Sequence, residues 1–84
     1  MRDYEALVRE IITPLVKNPE ALLIRRTDEG TKIIVNIFAE NEDIAVLIGR
    51  KGIIANALRE VVSVAGKLDE EHVYLRFEAL DENK

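Results

Sequence analysis

Residues 31–39 read Thr-Lys-Ile-Ile-Val-Asn-Ile-Phe-Ala, and their alternation constrains the fold more than any other stretch. Ile33, Val35, Ile37 and Ala39 fall on one side of an extended chain, and Lys32, Ile34, Asn36 and Phe38 on the other. A strand with one continuous apolar side has to bury that side under a second layer. Upstream, Ala21-Leu22-Leu23-Ile24 and then Arg25-Arg26-Thr27 predict a strand over 20–27. Asp28-Glu29-Gly30 between the two runs is turn-forming, so the pair reads as an antiparallel hairpin. A third strand is predicted over 71–78, where Val73, Leu75 and Phe77 alternate with His72, Tyr74, Arg76 and Glu78.

Helical periods fill the remainder. Tyr4, Leu7, Val8, Ile11, Ile12, Leu15 and Val16 recur at steps of three and four, which predicts a helix over 2–17. Pro14 removes one intrahelical bond, so the last turn should kink or tighten, and Asn18-Pro19 stops it. Asn41 is a candidate cap for a short helix over 42–48, with Glu42 and Asp43 at its positive end. A third helix is predicted over 52–65, burying Ile54, Ala57, Leu58, Val61, Val62 and Ala65, with Gly66 as its C-terminal stop. The order is α-β-β-α-α-β. The expected architecture is α+β in two layers: a three-stranded mixed sheet with three helices on one face. The helical pair before the last strand is a crossover that permits parallel pairing. With 84 residues, 48% of them apolar, the chain supports one core and one domain over 1–80, and a tail over 81–84 that frays.

Several function classes lack their residues. There is no cysteine, and the one histidine, His72, builds neither a metal cluster nor a catalytic triad. Glu40, Glu42 and Asp43 cluster where helix-capping acids belong, and no nucleophile–base pair is evident. No cofactor, metal or catalytic residue is expected. The N-terminus is charged rather than apolar, and no run approaches the ~20 residues that span a bilayer. A soluble cytoplasmic protein with no membrane association is expected.

The net charge of −4 argues against a nucleic-acid partner until its distribution is read. From Ile44 to Leu68 the cations Arg50, Lys51, Arg59 and Lys67 face a single acid, Glu60. At the centre of this basic island lies Ile48-Gly49-Arg50-Lys51-Gly52, between two helical patterns. Glycine permits a sharp turn and the close approach of another backbone. Two cations there attract an anion, and the helix that follows offers free N–H groups to the same anion.

The element order together with Ile48-Gly49-Arg50-Lys51-Gly52-Ile53 resembles a KH domain in the type II, bacterial arrangement, whose I-G-x-x-G-x signature lies between two short helices. The resemblance covers nearly the whole chain. Chain length and the Ile-Thr-Pro-Leu-Val-Lys-Asn-Pro run at 12–19 further resemble the KhpA family of small bacterial single-KH RNA-binding proteins. The resemblance implies a single-stranded RNA-binding protein, an RNA chaperone or post-transcriptional regulator, that clamps about four nucleotides. Gly49 and Gly52 would admit the RNA backbone, Arg50 and Lys51 would supply charge, and Ile53 would open the helix that donates amides. Ala45, Val46 and Ile48 would form the helical wall of a base groove, with a sheet edge opposite, and Arg59 would contact a base. The resemblance also implies a homodimer, or a heterodimer with another KH-containing protein.

Plainer readings stand beside these. Gly49 and Gly52 fit a structural turn, and the chain would then be a protein-interaction or dimerisation module. Ile48 fits a core position, and Arg59 fits an intrahelical contact or solvent. Arg25-Arg26 fits a hairpin-end charge pair rather than a second RNA contact. Ile34, Phe38 and Tyr74 on the sheet side away from the core form an apolar patch of the kind that marks a protein contact, unless neighbouring side chains cover it.

Overall fold

The computed structural model describes residues 2–80, so the tail expected to fray lies outside the described residues. The first helix, α1, spans Tyr4–Ile12 and is capped by Asp3, whose carboxylate accepts from the Ala6 N–H at 3.0 Å. It buries Tyr4, Val8 and Ile12, one stripe at four-residue steps. The helix stops five residues short of the expected end. Pro14 lacks the N–H that would continue it, and the chain tightens into a 3-10 turn over Thr13–Leu15. A second 3-10 turn, Pro19–Ala21, takes Glu20 and Ala21 from the start of the expected strand.

The sheet strands are β1 Leu23–Glu29, β2 Lys32–Ala39 and β3 His72–Ala79. β2 is central; it pairs antiparallel with β1 and parallel with β3. Asp28 and Glu29, expected in the turn, are strand residues, and the turn contracts to Gly30-Thr31, with Gly30 at φ 67°. The core-facing side of β2 is the one expected: Ile33, Val35, Ile37 and Ala39 are all buried.

Between β2 and β3 runs α2, Asn41–Leu68. Among the described residues there are therefore two α-helices and not three. The second and third expected helices form one element, interrupted by non-helical backbone at Gly49, Arg50, Lys51 and Gly52. Asn41 is its first helical residue rather than its cap; the cap position is Glu40, which makes no side-chain capping bond. Asp43 serves the neighbouring segment instead. It is 2% exposed and accepts the backbone N–H groups of Lys17 at 2.8 Å and Asn18 at 3.0 Å.

Beyond the interruption α2 buries Ala55, Leu58, Val62, Ala65 and Gly66, while Ala57 and Val61 stay exposed and Ile54 is half-buried. Gly66 does not end the helix. A Cβ there would lie 2.8 Å from the Glu71 carbonyl oxygen, so Gly66 lets the chain entering β3 pass close behind the helix. The left-handed residue that ends it is Glu70, at φ 60°.

Asp69, at the end of α2, ties the two ends of the helical layer together. It accepts from Arg2 Nε at 2.8 Å and from the Tyr4 hydroxyl at 2.6 Å. Arg2 first, and then Tyr4, lower its pKa to about 2. Arg26 turns inward over the Tyr4 ring and pairs with Asp28 at 2.7 Å, whereas Arg25 is exposed on the outer side of the sheet.

Candidate nucleic-acid interface

The interruption of α2 is built from four residues. Gly49 is extended (φ −76°, ψ 179°), and Arg50, Lys51 and Gly52 follow at φ 51°, 62° and 71°. Three consecutive left-handed residues reverse the winding of the helix and redirect its axis. Gly52 suits this backbone because it carries no Cβ. Arg50 and Lys51 adopt it at a cost of roughly 1–2 kcal/mol each. Both are exposed, and neither makes an ion pair or hydrogen bond among the described residues. The helix that resumes after Gly52 begins with N–H groups that have no intrahelical acceptor.

Gly49 has a different status from Gly52. Its φ is ordinary for any residue, and a Cβ built on it would meet nothing within 4 Å. Nothing in the folded chain requires glycine there.

Beside the loop lies a depression of about 650 Å³ lined by Ala45, Val46, Gly49, Arg50, Ile53 and Ile54. A second, almost wholly apolar one of about 220 Å³ adjoins it. It is walled by Ile53, Ile54, Ala57, Leu58 and Val61 on α2 and by Ile11 and Leu15 across from them. The structure thus brings five of the expected site residues together: Ala45, Val46, Gly49, Arg50 and Ile53. Lys51 and Gly52 belong to the loop beside them. Ile48 is exposed rather than in the core, and it lines neither depression. Arg59 lies elsewhere: its guanidinium sits 5.4 Å from the Phe77 ring centre and donates to Asn56 Oδ1 at 3.3 Å.

No strand residue lines either depression; across from α2 the second one is walled by the end of α1 and the 3-10 turn after it. Sequence reading placed Ile11, Leu15, Ile54, Ala57 and Val61 in the core and so missed them as groove residues. The signal was available. Seven apolar residues in one short amphipathic segment exceed what a single buried stripe takes up, and the excess has to face outward.

The interrupted helix over a three-stranded mixed sheet, with Gly49-Arg50-Lys51-Gly52 at the break, defines a KH domain. A family model described as KhpA/KhpB, KH domain, matches residues 5–77. The chain belongs to this family. It is 32% identical over 71 residues to RNA-binding protein KhpA of Oceanobacillus iheyensis, covering 84% of this chain and 95% of that one. It is 32% identical over 77 residues to RNA-binding protein KhpA of Bacillus subtilis, covering 92% and 93%. Among solved structures, a single-residue variant of Aquifex aeolicus Era, bound to GDP and aluminium fluoride, superposes with a TM-score of 0.53 at 14% identity. The match covers 95% of this chain and 33% of Era. That likeness is one of fold alone. No helix among the described residues is long and apolar enough to cross a membrane.

Proposed function

We propose that this chain is a non-enzymatic single-stranded RNA-binding protein, a single KH domain over residues 1–80, acting as an RNA chaperone or post-transcriptional regulator. The observation that carries the reading is the loop at the break of α2. Two unpartnered cations are held there in a backbone conformation that non-glycine residues avoid. A chain that needed only a turn would be served better by glycine or asparagine. The relatives' name, RNA-binding protein KhpA, supports the same reading. In this reading the RNA backbone lies against Gly49 and Gly52, and Arg50 and Lys51 neutralise phosphates. The amides that open the second half of α2 donate to phosphate oxygens. Bases rest on Ala45, Val46, Ile53 and Ile54. Arg59 joins only by leaving Phe77, and Ile48 stays at the margin.

Ultraviolet crosslinking of a tetranucleotide RNA, followed by peptide mapping, tests the position. The crosslink is expected on the peptide that carries residues 49–54, and a crosslink confined to other peptides overturns the clamp. Because the contact involves only two or three phosphates, log affinity against log salt should have a shallow slope, about −1.4 to −2.1. A steep slope would indicate a broad electrostatic surface in its place.

The chain also pairs in this reading, with a second copy or with another KH-containing protein. Support comes from α2 beyond the break, where Ala57, Val61, Val64 (55% exposed) and Leu68 (73%) form a second apolar stripe away from the buried one. A stripe of this kind on a helix already buried on its other side fits a partner helix. Avidity from a second loop would offset the small contact of one domain. Val64→Asp should halve the mass measured by sedimentation equilibrium while leaving tetranucleotide binding unchanged. An unchanged mass would remove the stripe as the contact. The chief rival is a protein-interaction module in which the loop is a plain turn; the exposed stripe favours it, and the loop backbone does not.

A further inference from the structure

We propose that the outer face of the sheet is a second contact surface for single-stranded RNA, separate from the loop. The inference rests on the RNA-binding reading of the chain but not on the clamp. Both helices cover the side of the sheet that carries Ile33, Val35 and Ile37, which leaves the other side open. Strand register sets its composition row by row. Arg25, Asn36 and Arg76 stand side by side across the three strands, and Thr27, Ile34 and Tyr74 form the neighbouring row. Arg25 and Arg76 are exposed, and neither has an ion pair or hydrogen bond among the described residues. They are roughly 10 Å apart, two interstrand spacings.

Tyr74 is 51% exposed, and the Lys32 ammonium lies 5.6 Å from the centre of its ring. A shallow depression of about 290 Å³ joins Lys32, Ile34, Tyr74 and Arg76. The acids of this face, Glu29 and Glu78, stand in the outermost rows at opposite corners. The two inner rows therefore hold two arginines and no acid, in a chain of net charge −4.

Charge complementarity calls for an anionic occupant, and the tyrosine ring in the adjoining row calls for one with a flat apolar face. Single-stranded RNA supplies both in one chain, phosphates for the guanidinium groups and bases to stack on the tyrosine. An acidic polypeptide would satisfy the arginines but would leave the aromatic platform without a matching plane. Unpaired arginines and an exposed aromatic ring in adjacent rows also explain why this face is neither wholly polar nor wholly apolar.

The experiment compares wild type, Arg25→Glu/Arg76→Glu, Tyr74→Ala and Arg50→Asp/Lys51→Asp on two RNAs, a tetranucleotide and a strand of about 20 nucleotides. All the sheet substitutions are at solvent-facing side chains, and thermal unfolding checks the fold. Loss of at least about tenfold in affinity for the long strand is expected from the double glutamate. Its salt slope should become shallower by about 1.4, for two phosphates. Tyr74→Ala should weaken the long strand about fivefold or more, since each stacked base contributes appreciably. Tetranucleotide binding should be unchanged in both. Unchanged long-strand affinity overturns the proposal. So does an equal loss on the tetranucleotide, which would mean that the sheet acts through the loop. A change of sedimenting mass with RNA binding intact overturns it in favour of a protein contact. Failure of the clamp is read separately, as tetranucleotide binding that survives Arg50→Asp/Lys51→Asp.

Discussion

Asp43→Ala should lower stability by about 3 kcal/mol, which for a domain of this size is a fall in melting temperature of at least ~12 °C. The carboxylate is 2% exposed and accepts two backbone N–H groups, from Lys17 at 2.8 Å and Asn18 at 3.0 Å. A hydrogen bond to a charged group contributes ~1.5–3 kcal/mol, and the donors left behind lose a partner that water reaches only partly. No other side chain is bonded to these two amides among the described residues. Asp43→Asn keeps one acceptor oxygen, so it should fall between the two. Thermal unfolding followed by circular dichroism measures both. A drop of less than ~4 °C for the alanine variant would show that the 16–18 segment is held by something other than this carboxylate.

The same bonds matter for the groove. Leu15 closes the apolar depression opposite Ile53 and Ile54, and the segment that follows it is anchored to α2 by Asp43. One buried acid thereby links core stability to the shape of the proposed base site. Its role was not legible in the sequence, where Asn41-Glu42-Asp43 reads as a helix opening with acids at the positive dipole end. Local pattern gives the side chain's element but not the segment that folds back onto it.

What the sequence carried well was whatever depends on period. The two sides of β2, the hairpin and the parallel crossover to β3 all follow from alternation and connection length. What it carried poorly was whatever depends on a contact distant in sequence. Gly66 reads as a helix stop by local rule, yet it is needed because the Glu71 carbonyl passes 2.8 Å from where its Cβ would be. Arg59 is a base contact by resemblance, and the sequence gives no sign that its guanidinium sits 5.4 Å from the centre of the Phe77 ring on β3. The break in α2 was visible as two glycines, but not the fact that Arg50 and Lys51 carry the left-handed backbone themselves.

That last point makes the loop the sharpest test of function. Arg50→Asp/Lys51→Asp should weaken tetranucleotide binding about 100-fold, the equivalent of ~2.7 kcal/mol, with the remaining affinity nearly independent of salt. Two attractive phosphate contacts become repulsive, which is why the expected loss exceeds that of simple deletion. The fold should be kept, because aspartate tolerates left-handed backbone better than arginine or lysine does.

Gly49→Ala isolates the backbone contribution in the same assay. An alanine there adopts the observed φ of −76° without strain and meets nothing within 4 Å. It should leave stability unchanged or raise it by ~0.4–1 kcal/mol through the unfolded chain. A variant at least as stable as the parent that nonetheless binds the tetranucleotide tenfold more weakly would mean that the space beside Gly49 is kept for the RNA backbone. If neither variant changes binding, Gly49-Arg50-Lys51-Gly52 is a turn between helices. The apolar stripe on α2 would then be the surface that defines what the protein does.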